Sequence, residues 1–396
     1  MAVAVKKGVF IVAGKRTPFG TYGGALRDVL AEDLFAAAAS AALKAGSVAA
    51  ELVDTVNIGQ VGAICATDLS LRHASLKAGI PVERPVLGLN KLSGSAFSAI
   101  ICSAQEILTG ASQVSLAGGM EVLSSIPFLV RDVRFGTALG KTYEMEDYLR
   151  MAFFDSYCNM YLWQITDSVA SKYGVTRREA DEYALKSQQR WKHANASGFF
   201  DDELVPVTVK IKGREVLMTT DEHPQPDITL EKLSKLAPVF PEGISTPGNS
   251  TGVNDGAAAM ILTSDQALKD HSLKPLARLV GWSCVAVDPK LMGIAAVSAA
   301  QKLLETTGLT INDMDLVEIH EAYAATTLVS ARKLAVDEEK LNVNGGAIAI
   351  GHPTGASGAR IMSHLTHELR RRGLKRALAS VSIAGGQGIA MIIETV

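Results

Sequence analysis

Short apolar runs alternate with helix-period segments along most of this chain, and that alternation limits the folds open to it. Gly8–Val12 reads as a strand, and Glu32–Leu43 carries Leu34, Phe35, Ala38, Ala41 and Ala42 at helical spacing. A later apolar run, Arg84-Pro-Val-Leu-Gly-Leu89, ends in a turn at Ser93. After it Phe97, Ile100, Ile101, Ala104, Ile107 and Leu108 keep a 3.6-residue period until Gly110 stops it. Gln113–Ala117 is the next predicted strand, ending in Gly118-Gly119. Units of this kind build a largely parallel α/β sheet. The segments LVDTVNIGQV (52–61) and DMDLVEIHEA (313–322) share an Asp-x-Val-x-Ile core, and each leads to a Gly-rich turn into a helix. Two duplicated halves facing each other are the expectation; chance echoes between βαβ units are the alternative.

Residues from about 123 to 248 break the pattern. They are more charged and aromatic, with a predicted helix over 177–197 and a connecting segment rich in Pro, Asp and Glu. The reading is an inserted loop domain, after which 248–261 resumes the small-residue strand pattern.

With 396 residues the chain exceeds one small core, so two or three domains are expected. A formal net charge of −2 argues against nucleic-acid partners, because no basic face dominates. No apolar stretch reaches the roughly 20 residues a membrane span needs. The four cysteines, Cys65, Cys102, Cys158 and Cys284, have neither CxxC nor metal-like spacing, which suggests a reducing intracellular compartment. Lys6, Lys7, Lys15, Arg16 and Arg27 precede the first acid, Asp28, a pattern compatible with organelle import but also with an ordinary strand and loop. The C-terminal IETV is not a peroxisomal SKL signal.

Three Gly-rich turns hold the candidate chemistry: SGS (93–95), GGAIAIGHPTGASG (345–358) and SIAGGQG (382–388). Such strand–turn–helix elements offer backbone N–H groups that suit a phosphate or a developing oxyanion. None fits GxGxxG or GxxxxGK[ST], so nucleotide binding by those routes has little support. His352, between Gly351 and Pro353, is a functional candidate; His320, at a strand-to-helix switch, is either functional or a buried structural histidine. His364 and His367 are expected to face solvent, as are the charged pairs of 177–192.

Several stretches together resemble the thiolase superfamily, most nearly its mitochondrial-type 3-ketoacyl-CoA thiolases. They are KRTPFGTYGG (15–24), YALKSQQRW (183–191), GNSTGVNDGAAA (248–259), HEAYA (320–324), NVNGGAIAIGHPTGASG (342–358) and AGGQGIAMII (384–393). They occur in family order over essentially the whole chain. The resemblance implies an α/β thiolase fold: two Rossmann-like halves in a five-layered αβαβα arrangement with an inserted loop domain. The implied division is 1–122 with 249–272 for the N-terminal half, 123–248 for the loop domain and 273–396 for the C-terminal half. A homodimer or homotetramer and a mitochondrial matrix location are also implied, with the cytoplasm as the other option. No metal and no covalently bound cofactor is implied; CoA or acyl-CoA would be substrate.

The resemblance puts the acyl-accepting nucleophile at Ser93, its activating histidine at His352 and the second proton-transfer group at Ser382, with His320 in the segment where many relatives carry Asn. It implies cysteines at 93 and 382, so both serines are departures. Ser93, His352 and Ala384 would form oxyanion sites. Thr251, Gln225, Leu236, Phe240, Tyr161, Leu162, Trp163, Met292, Ala322 and Tyr323 would line the path of CoA and the acyl chain. Trp163 stands where a small residue is expected and would narrow that path; Gln225 replaces an arginine and Ala384 a glycine.

A thiol starts near pKa 8.5, whereas an alcohol lies several units higher, beyond what a helix dipole of at most about 2 kcal/mol can bridge. Ser93 therefore needs His352 as a general base. Ser382 cannot act as a base toward a carbon acid near neutral pH. Two readings follow: a thiolase-like acyltransferase on Ser93 with impaired thiolysis and Claisen condensation, or a catalytically silent thiolase-like protein serving as a ligand-binding or partner subunit.

Overall fold

The computed structural model describes residues 1–62 and 69–396; Cys65 lies outside the described residues. The elements that carry the architecture are, in chain order, β1 (Val9–Arg16), α1 (Ala31–Gly46), β2 (Thr55–Gly59), β3 (Val86–Leu89), α2 (Ser95–Thr109), β4 (Val114–Val122), α3 (Arg177–Ala196), β5 (Asn254–Ser264), β6 (Ala277–Ala286), α4 (Ala295–Thr307), β7 (Leu316–Ile319), α5 (Ala324–Leu334), α6 (Ser357–Arg372), β8 (Arg376–Ile383) and β9 (Gln387–Thr395).

The strands hydrogen-bond in the order β7-β8-β9-β6-β1-β5-β4-β2-β3. Its two ends repeat one topology. β2 is parallel to β4, which is antiparallel to β5, which is antiparallel to β1. Likewise β7 is parallel to β8, which is antiparallel to β9, which is antiparallel to β6. The halves meet where β6 touches β1 over Ala277–Arg278 and Phe10–Ile11. Each sheet is thus mixed, with the antiparallel pairs that the alternation of strands and helices did not announce. The echoing segments 52–61 and 313–322 fall on β2 and β7, equivalent strands of the two halves.

Helices make three layers, one outside each half of the sheet and one between them, five layers in all. α1 covers β1, β4 and β5; α2 and α6 fill the middle; α4 covers β6, β8 and β9, with α5 beside it. α1 begins with Glu32 and Asp33 and ends in Ser47 with φ 53, so charge complements the dipole at its start and a left-handed residue closes it. α6 touches strands of both halves, and it is buried on nearly every side from Ser357 to Leu369. This overturns the expectation of solvent-facing histidines. His364 is 3% exposed and its Nδ1 lies 2.8 Å from Glu203 Oε2; His367 is partly buried with its Nε2 2.9 Å from the Gly14 carbonyl. Reading α6 as a surface helix missed that Glu203 and the main chain of β1 lie against its histidines.

The strand expected to stop at Gly118-Gly119 runs through both glycines to Val122. A Cβ on Gly119 would sit 1.9 Å from the Gly355 carbonyl oxygen, and one on Gly355 would sit 2.6 Å from the Met120 carbonyl. Here the glycines permit main chain to lie against main chain.

Between Leu123 and Asn254 the chain forms short hairpins, the helix Leu162–Lys172, α3, and the hairpin Val207–Ile211 with Arg214–Met218. α3 starts with a capping box of Thr176 and Glu179. Its charged face is only partly in water: Arg178 and Glu182 are outside, but Asp181 is buried and accepts from Arg177 Nε and Asn249 Nδ2. The helix was read correctly, and the assumption that all its charges are solvated was not.

Arg16, fully buried, donates to Glu203 at 2.6 Å and to both oxygens of Asp221. Burial pushes Glu203 up, but the charges of His364 and Arg16 prevail and hold it at about 2. Burial pulls His364 down, and Glu203 reverses this, leaving it above its ordinary value.

Two predictions follow from this packing. Gly119→Ala should lower unfolding free energy by at least about 1–3 kcal/mol, as overpacking does, in denaturant melts. Glu203→Gln should cost about 3–5 kcal/mol by leaving buried positive charge underpaired. Because Glu203 titrates below an unfolded carboxyl near pKa ~4.3, its contribution is complete above that value and fades toward pH 2; the Gln variant should lack that acid-dependent loss.

Candidate active site

Ser93 sits in the turn between β3 and α2, directly after Leu92, whose φ is 49. A branched residue in the left-handed region costs roughly 1–2 kcal/mol. Gly94 caps α2, so the Ser93 side chain stands at the positive end of a 15-residue helix. The Ser95 hydroxyl ties this turn down by donating to Leu92 O at 2.7 Å and accepting from Lys91 N at 2.8 Å.

His352 comes from the loop before α6. Its backbone N–H donates to Asn254 Oδ1 at 2.9 Å, and Asn254 Nδ2 donates to Gly20 O. Its Nε2 lies 3.0 Å from Ser93 Oγ. On the other side of the ring, Nδ1 lies 2.6 Å from Ser357 Oγ and 3.0 Å from His320 Nε2. Ser357 Oγ donates to Pro353 O at 3.1 Å, so its lone pairs are available to an N–H on Nδ1. That arrangement leaves Nε2 free to accept from Ser93. Among the described residues no carboxylate touches either imidazole. Burial, assisted by the nearby charge of Arg360, pushes His352 down to about 3, and burial with the His352 and Arg360 charges pushes His320 well below its usual value. Both rings are therefore neutral near pH 7.

A cavity of about 280 Å³ opens over this pair. Ser93, His352, Ser382, Ala384, Thr251, Met292, Ala322, Tyr323, Leu162 and Trp163 line it, a convergence of ten residues from the sequence reading. Trp163 forms one wall, its ring stacked on Tyr161 with centroids 4.5 Å apart, and it narrows the cavity without filling it. Tyr161 is thus behind the wall. His320 lies behind His352. Gln225, Leu236 and Phe240 do not line the cavity: Gln225 N–H donates to Gln188 Oε1, Leu236 O accepts from Arg177, and Phe240 is 39% exposed. Ser382 Oγ accepts from Ala296 N–H at 3.0 Å, which fixes its oxygen. Ala384 is not strained, because the positive φ values of its turn fall on Gly385 and Gly386.

Three contributors went unread in the sequence. Ser357 and Asn254 orient His352, and Glu121 accepts from the N–H groups of Val61, Gly62 and Gly355, tying the loop after β2 to the loop of His352. Burial raises Glu121 to about 7 against those three donors. Ser357 was signalled by its place five residues after His352, on the first turn of the next helix; the other two left no such trace. Among the described residues Cys102, Cys158 and Cys284 are free thiols, no group of three His, Cys, Asp or Glu is arranged to hold a metal ion, and no helix is long and apolar enough to cross a membrane.

The profile of the thiolase N-terminal domain matches residues 9–266 and that of the thiolase C-terminal domain residues 273–395. The mitochondrial 3-ketoacyl-CoA thiolases of Bos taurus and Homo sapiens are each 49% identical, the first over 394 residues (99% of both chains) and the second over 395 (99% of this chain, 100% of the relative). An acetyl-CoA acetyltransferase of Chromobacterium violaceum is 41% identical over 388 residues, covering 98% of this chain and 99% of its own. The crystal structure of human mitochondrial 3-ketoacyl-CoA thiolase in complex with CoA superposes with a TM-score of 0.96 at 48% identity, covering 100% of this chain and 99% of that one. With both halves matched in sequence and in three dimensions, the chain belongs to the thiolase family.

Proposed function

We propose that this protein is an acyltransferase acting on acyl-CoA thioesters, with Ser93 taking the acyl group and His352 serving as its general base. The observation that carries the reading is the 3.0 Å approach of Ser93 Oγ to His352 Nε2 at the floor of an apolar-walled cavity. The CoA complex of the human relative supports the ligand class. The cavity residues Thr251, Leu162, Trp163, Met292, Ala322 and Tyr323 would hold pantetheine and acyl chain, and Ser93 N–H and Ala384 N–H are the oxyanion donors in this reading; His352, also expected there, is engaged as the base at Nε2 and donates its backbone N–H to Asn254.

Acylation begins when the Ser93 oxygen attacks the thioester carbonyl carbon as its proton leaves toward His352 Nε2. The C–S bond then breaks and CoA departs as the thiol. The chemistry after that point is restricted. Ser382 offers a hydroxyl held by the Ala296 N–H, which is no base toward a proton next to a thioester carbonyl. Ordinary thiolysis and Claisen condensation are accordingly impaired. The same proposal includes the division into two halves and a loop domain over 123–248, a homodimeric or homotetrameric assembly, and a place in the mitochondrial matrix, the mammalian relatives being named mitochondrial.

The test is intact-protein mass after incubation with acetyl-CoA and longer acyl-CoAs, with peptide mapping. One acyl group on Ser93, absent from Ser93→Ala, is expected; no adduct together with no acyl-CoA binding by calorimetry overturns the reading in favour of a silent scaffold. The pH dependence is also fixed. With His352 titrating at about 3, its basic form is present at every pH above that, so the acylation rate should stay level between about pH 5 and pH 9 instead of rising through the usual histidine value near 6.5.

A further inference from the structure

Next to the acyl cavity lies a second pocket of about 20 Å³, which shares Ser382, Met292, Ala322 and Tyr323 with it. Thr166 and His320 line only the small pocket. Two of its polar atoms, His320 Nδ1 and Thr166 Oγ1, are buried and have no hydrogen-bond partner among the described residues. Buried polar atoms are rarely left so, because the desolvation they suffer is not returned. A water molecule needs roughly 10–15 Å³ and two to four polar neighbours. This pocket has the room, and His320, Thr166 and Ser382 supply three neighbours.

The position of that site matters because of what precedes it. Ser93 Oγ lies 3.0 Å from His352 Nε2, and His352 Nδ1, across the ring, lies 3.0 Å from His320 Nε2; His320, whose far nitrogen is the unpartnered one, lines the small pocket. Ser382 then closes the path, since its hydroxyl borders both cavities while its oxygen is anchored by Ala296 N–H. The other neighbour of His352 Nδ1, Ser357, leads only to the Pro353 carbonyl, which has no proton to pass on.

We propose that the small pocket is a water site, and that this water joins His320 to Ser382 in a proton circuit running from the attacking Ser93 to the leaving CoA sulfur. The proposal rests on Ser93 acylation as described above. In the step, Ser93 forms its bond to the acyl carbon and gives its proton to His352 Nε2. His352 passes its Nδ1 proton to His320 Nε2, His320 passes its Nδ1 proton to the water, and the water passes one to Ser382 Oγ. Ser382 delivers its own hydroxyl proton to the sulfur as the C–S bond breaks. Each imidazole changes tautomer and neither becomes a cation, which suits two buried rings beside Arg360 with no carboxylate among the described residues to balance them. Ser382, no base, becomes a carrier, as does His320; Thr166 is a positioning residue for the water.

The test is the proton inventory of Ser93 acylation by acetyl-CoA, measured as the rate in mixtures of light and heavy water. The expected result for the unaltered protein is a curved inventory, the mark of several protons in flight. Thr166→Val, nearly isosteric, and Ser382→Ala should each slow acylation about tenfold, the size of one lost buried hydrogen bond, and straighten the inventory, with acetyl-CoA affinity unchanged. A straight inventory in the unaltered protein overturns the circuit while leaving Ser93 as nucleophile. A slower Thr166→Val enzyme with unchanged curvature also overturns it, since that is what a merely structural threonine would give. Absence of any Ser93 adduct overturns the functional reading and the circuit together.

Discussion

Main chain lying directly on main chain is the constraint around which this molecule is organised. At Gly119 and Gly355 the loop that delivers His352 rests on a central strand with no space for a single carbon between them. Burying polar backbone that closely demands that each group be satisfied, and Glu121 does part of this by accepting from Val61, Gly62 and Gly355. The active-site loops are therefore located by backbone contact and by one buried carboxyl, and side-chain packing only finishes the placement. A loop held this way can carry a histidine within hydrogen-bonding reach of a residue in the other half of the chain.

Charge is handled in the same enclosed fashion. Arg16, Glu203, Asp221 and His364 form one buried cluster, and Arg360 pairs with Glu318 in the middle layer. These groups are fully or almost fully removed from water, so each depends on its partners. Arg360 has a further effect, since its charge disfavours a proton on His352. The field that helps hold the central helix together also keeps the site's imidazoles neutral. A thiol nucleophile benefits from an imidazolium beside it, but the serine here faces a base that resists becoming one.

The alternation of strands and helices was legible because period 3.6 and short apolar runs are local properties. The duplication was legible too, through one shared five-residue core that falls on equivalent strands. The antiparallel pairings were not, because strand direction depends on where the chain returns and no local residue records it. His364 was misread because its partner Glu203 is 161 residues away, so a polar residue on a helix looked like a surface residue. At the site, Gly-rich turns pointed to Ser93, His352 and Ser382, while family likeness supplied Ala384 and the wall residues, seven of which converge with those three on one cavity. Gln225, Leu236 and Phe240 did not, and the supporting acceptors Asn254 and Glu121, together with Thr166, were invisible because each acts across long sequence separation.

Ser93 and His352 are 259 residues apart and belong to opposite halves of the duplicated architecture. Their hydrogen bond exists only once the second half has closed on the central helix, so it is among the later long-range contacts a ribosome could make available. A nascent chain with its first half folded would present the serine, its strained turn and its helix, yet hold no partner for the proton. Reactivity is thus withheld until synthesis is nearly complete, and any later slippage between the halves would silence the serine before either half lost its own structure.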